Sequence, residues 1–540
     1  MTAVTARDLG VPDRFNAAKF FVDRHLAEGR GGKVAIECGD ERVTYAQLAE
    51  RVNRCGSALR TTCGVGRGDR VVLLLVDGPA FFYAFFGAIK IGAVPVPTNT
   101  LWKAADYRHV LNDSGAGVLI VSEELLAEVD ALSDDIPRAF RRVVVGRRSA
   151  PGPRDIVFES LLDGGSPVLD AAPTRHDEPA FWLYSSGSTG APKGCIHLHH
   201  DMVVCAELFA KGVLGIREDD RSFSVAKLFF AYGLGNAGYF PLAVGATSIL
   251  WPGSPAPANI YRIIETHRPT LFFSVPTGYG MLLAHVEAGD DFDLSSVRLA
   301  VSAGEALPGA IYERFKQRFG VDIIDGIGST EALHMFISNR PTAIRPGSSG
   351  LIVDGYEAKI LDDDQLAVPR GEIGNLWIKG ESVCDGYWNL PEKTAQTIQH
   401  GWIRTGDKYS QDPDGFYWYA GRSDDMLKVG GQWVSPVEVE NALIEHAAVR
   451  ECGVVGREDR DALVKPMAFV VLRAGFRESP ELAAELQQFV RGRLADYKRP
   501  RWVGFLDELP KTATGKIQRF KLREAAAGQG GVNSSGGRSV

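Results

Sequence analysis

VVLLLVDGPAFFYAFFGAIKIGAVPVP, residues 71–97, is the most apolar stretch of this 540-residue chain. A short apolar run is followed by Asp77, Gly78 and Pro79, and then by a longer apolar segment that ends at Lys90. These residues divide the stretch into pieces shorter than the roughly 20 residues that a membrane span needs. The pattern predicts a strand, a turn and a buried helix.

The same order of strand and helix recurs from about residue 33 to 340. Apolar strand-like runs precede helical patterns in VLIVS then ELLAEVDAL, TLFFSVP then YGMLLAHVEA, and VRLAVSAG then AIYERFKQRF. This alternation predicts parallel β-sheets covered by helices, with ligands bound beyond the carboxyl ends of the strands. The loop that begins at Ser185 follows strand-like FWLY, so we expect it at such an end.

Two changes of pattern divide the chain. Short strands and turns from about 346 to 420 predict a compact β subdomain, and alternation of helix and strand resumes after residue 425. We therefore predict an α/β protein with a large N-terminal domain of helix-covered β-sheets at 1–423, which includes the small β subdomain. A small C-terminal α+β domain at 424–527 and a flexible tail at 528–540 would follow.

Two helices of the C-terminal domain have marked beginnings. Ser435 precedes Pro436, which suits the first helical position, and Glu438 would complete a capping box with Ser435. Ser479 and Pro480 repeat the same start.

Composition and charge exclude several classes of protein. Hydrophobic residues make up 45% and charged residues 24% of the chain, as in ordinary globular proteins, and the net charge of -7 offers no basic surface for nucleic acid. The seven cysteines are scattered, which fits free thiols in a reducing cytoplasm. The first residues lack the apolar core of a signal peptide. We expect a cytoplasmic monomer or homodimer without a nucleic-acid or membrane partner.

Residues 184–194, YSSGSTGAPKG, combine three glycines with several hydroxyl groups and one lysine. Glycine lets backbone amides approach a ligand closely, and this composition suits a phosphate. Lys193 lies between Pro192 and Gly194, an order that differs from the Walker A loop. An ordinary P-loop NTPase is therefore disfavoured.

Four further stretches carry candidate functional residues: SAGEALP (302–308), GIGSTE (326–331), WIRTGD (402–407) with GRSDD (421–425), and PKTATGKIQR (510–519). Each alone has a structural explanation. GIGSTE could be a strand followed by a capped helix, WIRTGD and GRSDD could be turns, and TATGKIQR could display a solvated lysine. For HLHH (197–200) we favour a structural role over a metal site.

In this order and at these separations, the five stretches resemble those of the acyl-adenylate-forming superfamily. Its members include acyl-CoA synthetases, firefly-type luciferases and the adenylation domains of nonribosomal peptide synthetases. The resemblance covers about residues 35 to 525. It implies that the chain uses ATP and Mg²⁺ to convert a carboxylate into an acyl-AMP.

The resemblance also implies roles for individual residues. Those implied to bind ATP or AMP are Ser185, Ser186, Gly187, Ser188, Thr189, Gly190 and Lys193 at the β- and γ-phosphates, Gly304, Glu305 and Ala306 beside adenine, Asp407 and Arg422 at the ribose hydroxyls, and also Asp325, Gly326, Ile327 and Thr330. Thr330 would contact the α-phosphate, and Glu331 would bind Mg²⁺, a hard cation suited to oxygen ligands. Lys516 would be essential for adenylation, because a cation offsets the repulsion between a carboxylate and the α-phosphate.

The family's second half-reaction concerns the C-terminal domain. Asp424 corresponds to the hinge across which that domain rotates after adenylation, so we expect the domain to be mobile. Rotation would withdraw Lys516 and bring Gly430, Gly431 and Trp433 to the CoA thiol.

Residues 227–242, KLFFAYGLGNAGYFPL, and 326–339 look most like the benzoate-CoA ligase branch. The likeness implies an aromatic carboxylate and a pocket formed by Phe230, Ala231, Tyr232, Ala303, Ile327, Gly328 and His334. No acid lies between Lys227 and Tyr239, which disfavours an α-amino acid substrate. Gly278 departs from the branch, where a larger aliphatic residue is common, and this leaves room for a hydroxy or amino group on the ring. Each pocket residue could equally be part of the core.

Three functions stay open. The preferred one is an aryl-CoA ligase, which forms aryl-AMP and pyrophosphate and then aryl-CoA and AMP. The second adenylates the same acid but loads the phosphopantetheine thiol of a carrier protein in trans. The third is an inactive nucleotide-binding protein that kept the fold, which the presence of Lys516, Glu331 and the complete loop disfavours.

Overall fold

The structure is a computed structural model, and the helices and strands below belong to the part of the chain that it describes. The described residues are 4–132, 140–146, 155–185, 191–287, 289, 291–423, 425–429, 432–459, 463–511 and 517–528. The side chains of residues 428, 432 and 433 are not among them.

The strands, in chain order, are β1 Val34–Cys38, β2 Glu41–Thr44, β3 Arg70–Leu74, β4 Val94–Pro97, β5 Val118–Ser122, β6 Arg141–Val145, β7 Asp155–Val157, β8 Pro179–Ser185, β9 Lys193–Leu198, β10 Arg221–Ser224, β11 Thr247–Leu250, β12 Leu271–Ser274, β13 Leu299–Ser302, β14 Ile323–Gly328, β15 Met335–Ser338, β16 Leu351–Ile352, β17 Glu357–Leu361, β18 Gly374–Lys379, β19 Gly386–Tyr387, β20 Ile398–Gln399, β21 Trp402–Gln411, β22 Tyr417–Arg422, β23 Leu427–Val429, β24 Gln432–Val434, β25 Val449–Glu458, β26 Val464–Leu472 and β27 Trp502–Phe505.

The α-helices are α1 Arg24–Ala27, α2 Tyr45–Thr61, α3 Pro79–Lys90, α4 Ala104–Ser114, α5 Leu126–Asp130, α6 Phe158–Gly164, α7 Asp201–Cys205, α8 Ala231–Gly233, α9 Phe240–Val244, α10 Pro257–His267, α11 Pro276–Glu287, α12 Gly309–Phe319, α13 Pro391–Thr397, α14 Pro436–Ile444, α15 Pro480–Arg491 and α16 Arg519–Gly528. Short π-helical segments adjoin several of them, at Lys19–Asp23, Ala206–Lys211 and Leu234–Tyr239.

Two sheets of the N-terminal region are wholly or mainly parallel. The larger has the order β16-β15-β14-β13-β12-β10-β11-β1-β2, in which the six strands from β14 to β1 are parallel. The second, β4-β3-β5-β6-β7, is parallel throughout. Parallel neighbours need long crossover connections, which the intervening helices supply. The predicted α/β fold is confirmed.

Helix α3 lies in the core, as the opening stretch predicts. Its phenylalanines at 81, 82, 85 and 86 are each no more than 2% exposed. A helix that is apolar on all sides is one that neighbouring elements cover completely. Lys90 in the last turn is buried as well, and its Nζ donates to Asp23 Oδ1 at 2.6 Å and to Asn53 Oδ1 at 2.5 Å.

Antiparallel sheets dominate the rest of the chain. β17, β18, β21, β20 and β22 form a five-stranded sheet within the region of predicted short strands. Beyond it, β23 and β24 form a hairpin, and β25, β26 and β27 form a sheet that packs against α14, α15 and α16. Strands and helices thus share the smaller C-terminal part, as predicted.

The two predicted helix starts are present. Ser435 Oγ accepts from the backbone N–H of Glu438 at 3.1 Å, and Ser479 Oγ accepts from that of Leu482 at 3.1 Å. The predicted capping box is wrong in its second half, since both carboxylate oxygens of Glu438 accept from Lys498 Nζ at 2.6 Å. A cation on a neighbouring segment binds that carboxylate instead of the helix's own backbone.

Within the described residues, no helix combines the length and the apolar character that crossing a membrane requires.

Candidate active site

The predicted site residues of the large sheet follow strands whose carboxyl ends share one edge. β14, β13, β12 and β10 are neighbours in that order and run parallel. The segment 227–232 follows β10, and the segment 303–306 follows β13. Asp325, Gly326, Ile327 and Gly328 form the end of β14 itself. The topology therefore places these residues along one edge, where ligands of open α/β sheets bind.

Thr330 and Glu331 occupy a turn between β14 and β15. The turn is closed by Ser329 Oγ, which accepts from the backbone N–H of Ala332 at 3.2 Å. The alternative that GIGSTE begins a helix is wrong, because an antiparallel strand follows. A Cβ at Gly328 would lie 2.5 Å from the carbonyl oxygen of His334, so only glycine permits this close return of the chain.

The glycine-rich loop connects β8 to β9, and these two strands form an antiparallel hairpin in which Ser185 lies opposite Lys193. The loop does follow the strand FWLY, but it does not extend from a parallel sheet as expected. β8 pairs with β9 and not with a parallel neighbour, in a three-stranded sheet completed by β19. Ser185 and Lys193 are described. Ser186, Gly187, Ser188, Thr189 and Gly190 lie outside the described residues.

Three contacts from other segments hold the turn that carries Thr330 and Glu331. His197 Nε2 donates to the carbonyl oxygen of Thr330 at 2.8 Å, and its Nδ1 lies 2.8 Å from Asp201 Oδ2. The backbone N–H of Cys384 donates to the carbonyl oxygen of Glu331 at 2.8 Å. The hydroxyl of Tyr387 donates to Glu331 Oε1 at 2.6 Å. The turn is therefore fixed through both its backbone and its carboxylate.

His197, Asp201 and Tyr387 contribute to the site, but none of the five motif stretches contains them. HLHH, which contains His197, suggests only a structural role or a metal site. The partners of His197 and Tyr387 are 133 and 56 residues away along the chain. For His197 and Asp201 the sequence did contain a signal, because the histidine lies four residues before the aspartate.

The structural interpretation of HLHH is supported. His199 Nδ1 accepts from the backbone N–H of Ala17 at 3.2 Å, and burial together with Arg67 lowers its pKa to about 3. In the described part of the chain, no group of three or more His, Cys, Asp or Glu residues could hold a metal ion.

Asp325 is a buried acid at the edge where the nucleotide is predicted to bind. Its Oδ2 accepts from the backbone N–H of Leu307 at 3.2 Å, and the hydroxyl of Ser302 and the backbone of Gly326 also interact with this carboxyl group. Burial raises its pKa to about 8.

The raised pKa of Asp325 predicts a pH-dependent stability difference. An unfolded aspartate titrates near pH 3.9, so from about pH 4 to about pH 8 the folded chain retains a proton that the unfolded chain has released. This group's contribution to the free energy of unfolding therefore falls as pH rises through that window. In urea titrations, the stability of Asp325→Asn relative to the unmodified chain should increase steadily between pH 5 and pH 8. A difference that is constant over this range would contradict the raised pKa.

Asp407 and Arg422, implied to contact the ribose, are brought together by the β21–β22 ladder. They are register partners, and Arg422 Nη1 lies 3.0 Å from Asp407 Oδ1. WIRTGD is therefore part of strand β21, and the alternative that it forms a turn is wrong.

In the segment predicted to lie beside adenine, Gly304 is exposed and Ala306 is partly buried. Glu305 Oε2 accepts from Thr277 Oγ1 at 2.9 Å.

His334, predicted to line the ring pocket, is buried among aromatic side chains. The His334 ring centre lies 5.6 Å from that of Tyr232 and 4.5 Å from that of Phe240. Its Nε2 donates to Asn236 Oδ1 at 3.1 Å, and burial lowers its pKa to about 3, so the ring is neutral. Its Nδ1 lacks a hydrogen-bond partner among the described residues.

The remaining pocket residues differ in burial. Ala303 is buried, and the partly exposed ones are Phe230, Ala231, Tyr232, Ile327 and Gly328. The hydroxyl of Tyr232 lies within hydrogen-bond distance of the carbonyl oxygens of Ser274 (3.3 Å) and Val301 (3.1 Å). This phenol is therefore anchored to the ends of β12 and β13.

The expectation for Gly278 needs a correction. A Cβ at Gly278 would lie 2.4 Å from Ser274 Oγ, so the space that the glycine leaves is partly filled by this hydroxyl. Ser274 Oγ is buried and has no hydrogen-bond partner among the described residues. The space beside Gly278 is therefore bordered by a polar atom, the Ser274 hydroxyl.

Lys516, predicted for adenylation, lies outside the described residues. So do Asp424, Gly430 and Gly431, predicted for the second half-reaction, and the side chain of Trp433.

The chain matches two family models. One, described as AMP-binding enzyme, matches residues 23–388, and the other, described as AMP-binding enzyme C-terminal domain, matches residues 438–516.

Individual relatives match almost the whole chain. The benzoate–CoA ligase of Thauera aromatica is 51% identical over 516 residues, which cover 95% of this chain and 97% of the relative. The anthranilate CoA ligase AuaEII, solved in complex with anthranoyl-AMP, superposes with a TM-score of 0.92 at 45% identity, covering 97% of this chain and 99% of its own. A benzoate CoA ligase from Burkholderia xenovorans LB400 superposes with a TM-score of 0.87 at 47% identity, covering 94% and 100%.

Proposed function

The chain belongs to the AMP-binding enzyme family, and on this premise we propose that it is an AMP-forming aryl-CoA ligase. In the first half-reaction, a carboxylate oxygen of an aromatic acid attacks the α-phosphate of ATP, and pyrophosphate leaves. In the second, the sulfur of CoA attacks the carbonyl carbon of the aryl-AMP, and AMP leaves. The observation that carries the proposal is the 51% identity to a benzoate–CoA ligase over nearly the full length of both chains.

The pocket supports an aromatic acid, either benzoate or a benzoate with a hydroxy or amino group. Tyr232 is a partly exposed aromatic residue whose ring packs against neutral His334, and aromatic residues of this kind suit a flat apolar ring. The buried Nδ1 of His334 and Oγ of Ser274 could each bind a polar ring substituent. The segment that contains Tyr232 and Asn236 has no acid to bind an α-amino group.

For the nucleotide, we propose the roles that the family resemblance implies. Lys193 and the loop that begins at Ser185 bind the β- and γ-phosphates, and Asp407 with Arg422 binds the ribose. Mg²⁺ usually takes one or two protein carboxylates together with phosphate oxygens, so the single carboxylate of Glu331, oriented by Tyr387, suits it. When bound, Mg²⁺ neutralises phosphate charge.

We also propose the domain assignment implied by the sequence. The N-terminal domain spans 1–423, and the C-terminal domain of 424–527 rotates about Asp424 between the half-reactions, with Gly430, Gly431 and Trp433 near the CoA thiol. The enzyme would be a cytoplasmic monomer or homodimer, and its seven cysteines are free.

A screen of acids tests this function. Pyrophosphate release should be fastest with benzoate or a hydroxy- or aminobenzoate, because aromatic and small residues of the proposed pocket suit a flat apolar ring. The panel should also contain phenylacetate, cinnamate, medium-chain fatty acids and α-amino acids, each with and without CoA. Faster release with a fatty acid or an amino acid would refute the aromatic pocket.

The acceptor is tested in the same reaction. Thioester should accumulate with free CoA, as detected by mass spectrometry. Thioester on a holo-carrier protein but none on CoA would instead establish the carrier-loading function. Pyrophosphate release at background with every acid would favour an inactive member of the family.

A further inference from the structure

Tyr387 lies between two charged side chains of the candidate site. Its hydroxyl donates to Glu331 Oε1 at 2.6 Å, and Lys193 Nζ lies 4.5 Å from the centre of its ring. The antiparallel pairing of β19 with β9 places Tyr387 opposite Cys195, two residues after Lys193. Its backbone N–H donates to Thr394 Oγ1 at 2.9 Å. Both backbone and ring are therefore fixed between the phosphate-loop hairpin and the turn that carries Glu331.

The two contacts use different parts of the same neutral group. The phenol hydroxyl donates to the carboxylate of Glu331. A hydrogen bond to an ionised acceptor is stronger and more directional than one between neutral groups. The face of the ring attracts the ammonium of Lys193 through its quadrupole.

The contacts of neutral Tyr387 leave the negative charge of Glu331 and the positive charge of Lys193 unpaired with each other. A direct ion pair between Lys193 and Glu331 would use the positive charge that a triphosphate needs and the negative charge that a metal ion needs. A phenol between the two side chains orients both and leaves each charge available to its own ligand.

We propose that Tyr387 is a positioning residue for MgATP, which orients the Glu331 carboxylate for Mg²⁺ through its hydroxyl and the Lys193 ammonium for phosphate through its ring. The inference rests on the roles of Lys193 and Glu331 in the proposed function. It adds a residue that links the two.

A purely structural role for Tyr387 predicts a different result. The ring packs with Cys195, Cys384 and Ile398 in a small apolar cluster and is 5% exposed. Tyr387→Phe retains that packing and the ring face but removes the hydroxyl. Tyr387→Leu removes the hydroxyl and the ring face together.

The experiment measures ATP binding by calorimetry across a series of MgCl₂ concentrations, with the unmodified chain and both variants. Tyr387→Phe should raise the Mg²⁺ concentration for half-maximal binding about 10-fold or more, as the loss of a group that orients a metal ligand does elsewhere. Tyr387→Leu should show the same shift and weaken ATP binding a further few-fold, roughly the value of an exposed cation–π contact.

Tyr312→Phe is the matched control. The hydroxyl of Tyr312 donates to Asp322 Oδ1 at 2.8 Å, and neither residue has a predicted part in ATP or metal binding. The Mg²⁺ dependence of Tyr312→Phe should equal that of the unmodified chain. An unshifted Mg²⁺ dependence in Tyr387→Phe, or an equal shift in Tyr312→Phe, would overturn the inference.

The same data separate this inference from the proposed function. Shifted Mg²⁺ dependence without pyrophosphate release from any aromatic acid would refute the function and support the role of Tyr387. Normal aryl-CoA synthesis by the unmodified chain, together with an unshifted Mg²⁺ dependence of ATP binding in Tyr387→Phe, would support the proposed function and refute the role of Tyr387.

Discussion

Lys516→Ala should lower the rate of aryl-AMP formation by about 10² to 10³-fold or more, while conversion of supplied aryl-AMP to aryl-CoA stays close to that of the unmodified enzyme. The lysine's charge offsets repulsion between the carboxylate and the α-phosphate, and this repulsion increases in the transition state. In the second half-reaction the attacking group is a thiol and the α-phosphate has already been acylated. The two rates are measured separately, as pyrophosphate release and as thioester formed from synthetic aryl-AMP.

Lys511→Ala provides the control for Lys516→Ala. Lys511 belongs to the same PKTATGK segment, but its Nζ lies 2.5 Å from Glu451 Oε2 and has no proposed part in the chemistry. It should retain adenylation to within a few-fold. Equal loss of both half-reactions in Lys516→Ala would contradict a lysine that acts in only one of them.

Arg519→Met should strongly destabilise the C-terminal part of the chain. Arg519 donates to both carboxylate oxygens of Glu440, at 2.8 and 2.9 Å, and Glu440 Oε1 also accepts from the backbone N–H of Val454 at 2.7 Å. Glu440 is 6% exposed, and burial raises its pKa. Removal of one partner of a buried pair leaves an uncompensated charge and typically costs about 3–5 kcal/mol.

The loss should be local, so hydrogen exchange is the appropriate measurement. Amides of β25 and β26 should exchange faster in Arg519→Met, whereas those of β12 and β13 should not change. Arg523→Met is the control from the same helix, because Arg523 forms an ion pair with Asp425 at 2.7 Å with 45% of its side chain exposed. Exposed pairs contribute about 0–1 kcal/mol. Equal effects of the two variants would show that the Arg519–Glu440 pair is not the source of the stability.

The double variant Glu440→Met/Arg519→Met gives a second test. Replacement of a buried ion pair by apolar side chains is often neutral, so much of the protection lost in Arg519→Met should return.

The parallel part of the fold was predictable because strand and helix alternate without interruption. The apolar residues of β3 and α3, and the Ser-Pro starts at Ser435 and Ser479, follow local rules that the structure obeys. The hairpin that carries the glycine-rich loop was not predictable in this way. The residues FWLY do not indicate whether their strand pairs with a parallel neighbour or, as in the structure, with the antiparallel strand β9 that follows the loop.

The candidate site was predictable where its residues belong to short motifs. Thr330, Glu331, Asp407 and Arg422 lie within such stretches, and the last two pair as register partners. Tyr387 could not be found by the same reasoning. Its role depends on contacts with segments 56 and 194 residues away, which only the folded chain brings together.

In the proposed reaction the acid passes through an aryl-AMP on its way to the thioester, and isotope transfer tests this step most directly. Benzoate with ¹⁸O in both carboxylate positions is incubated with the enzyme, MgATP and CoA, and the products are weighed by mass spectrometry. Attack of the carboxylate on the α-phosphate predicts AMP that carries a single ¹⁸O and benzoyl-CoA that retains the other. Unlabelled AMP, or label recovered in orthophosphate together with ADP, would contradict it.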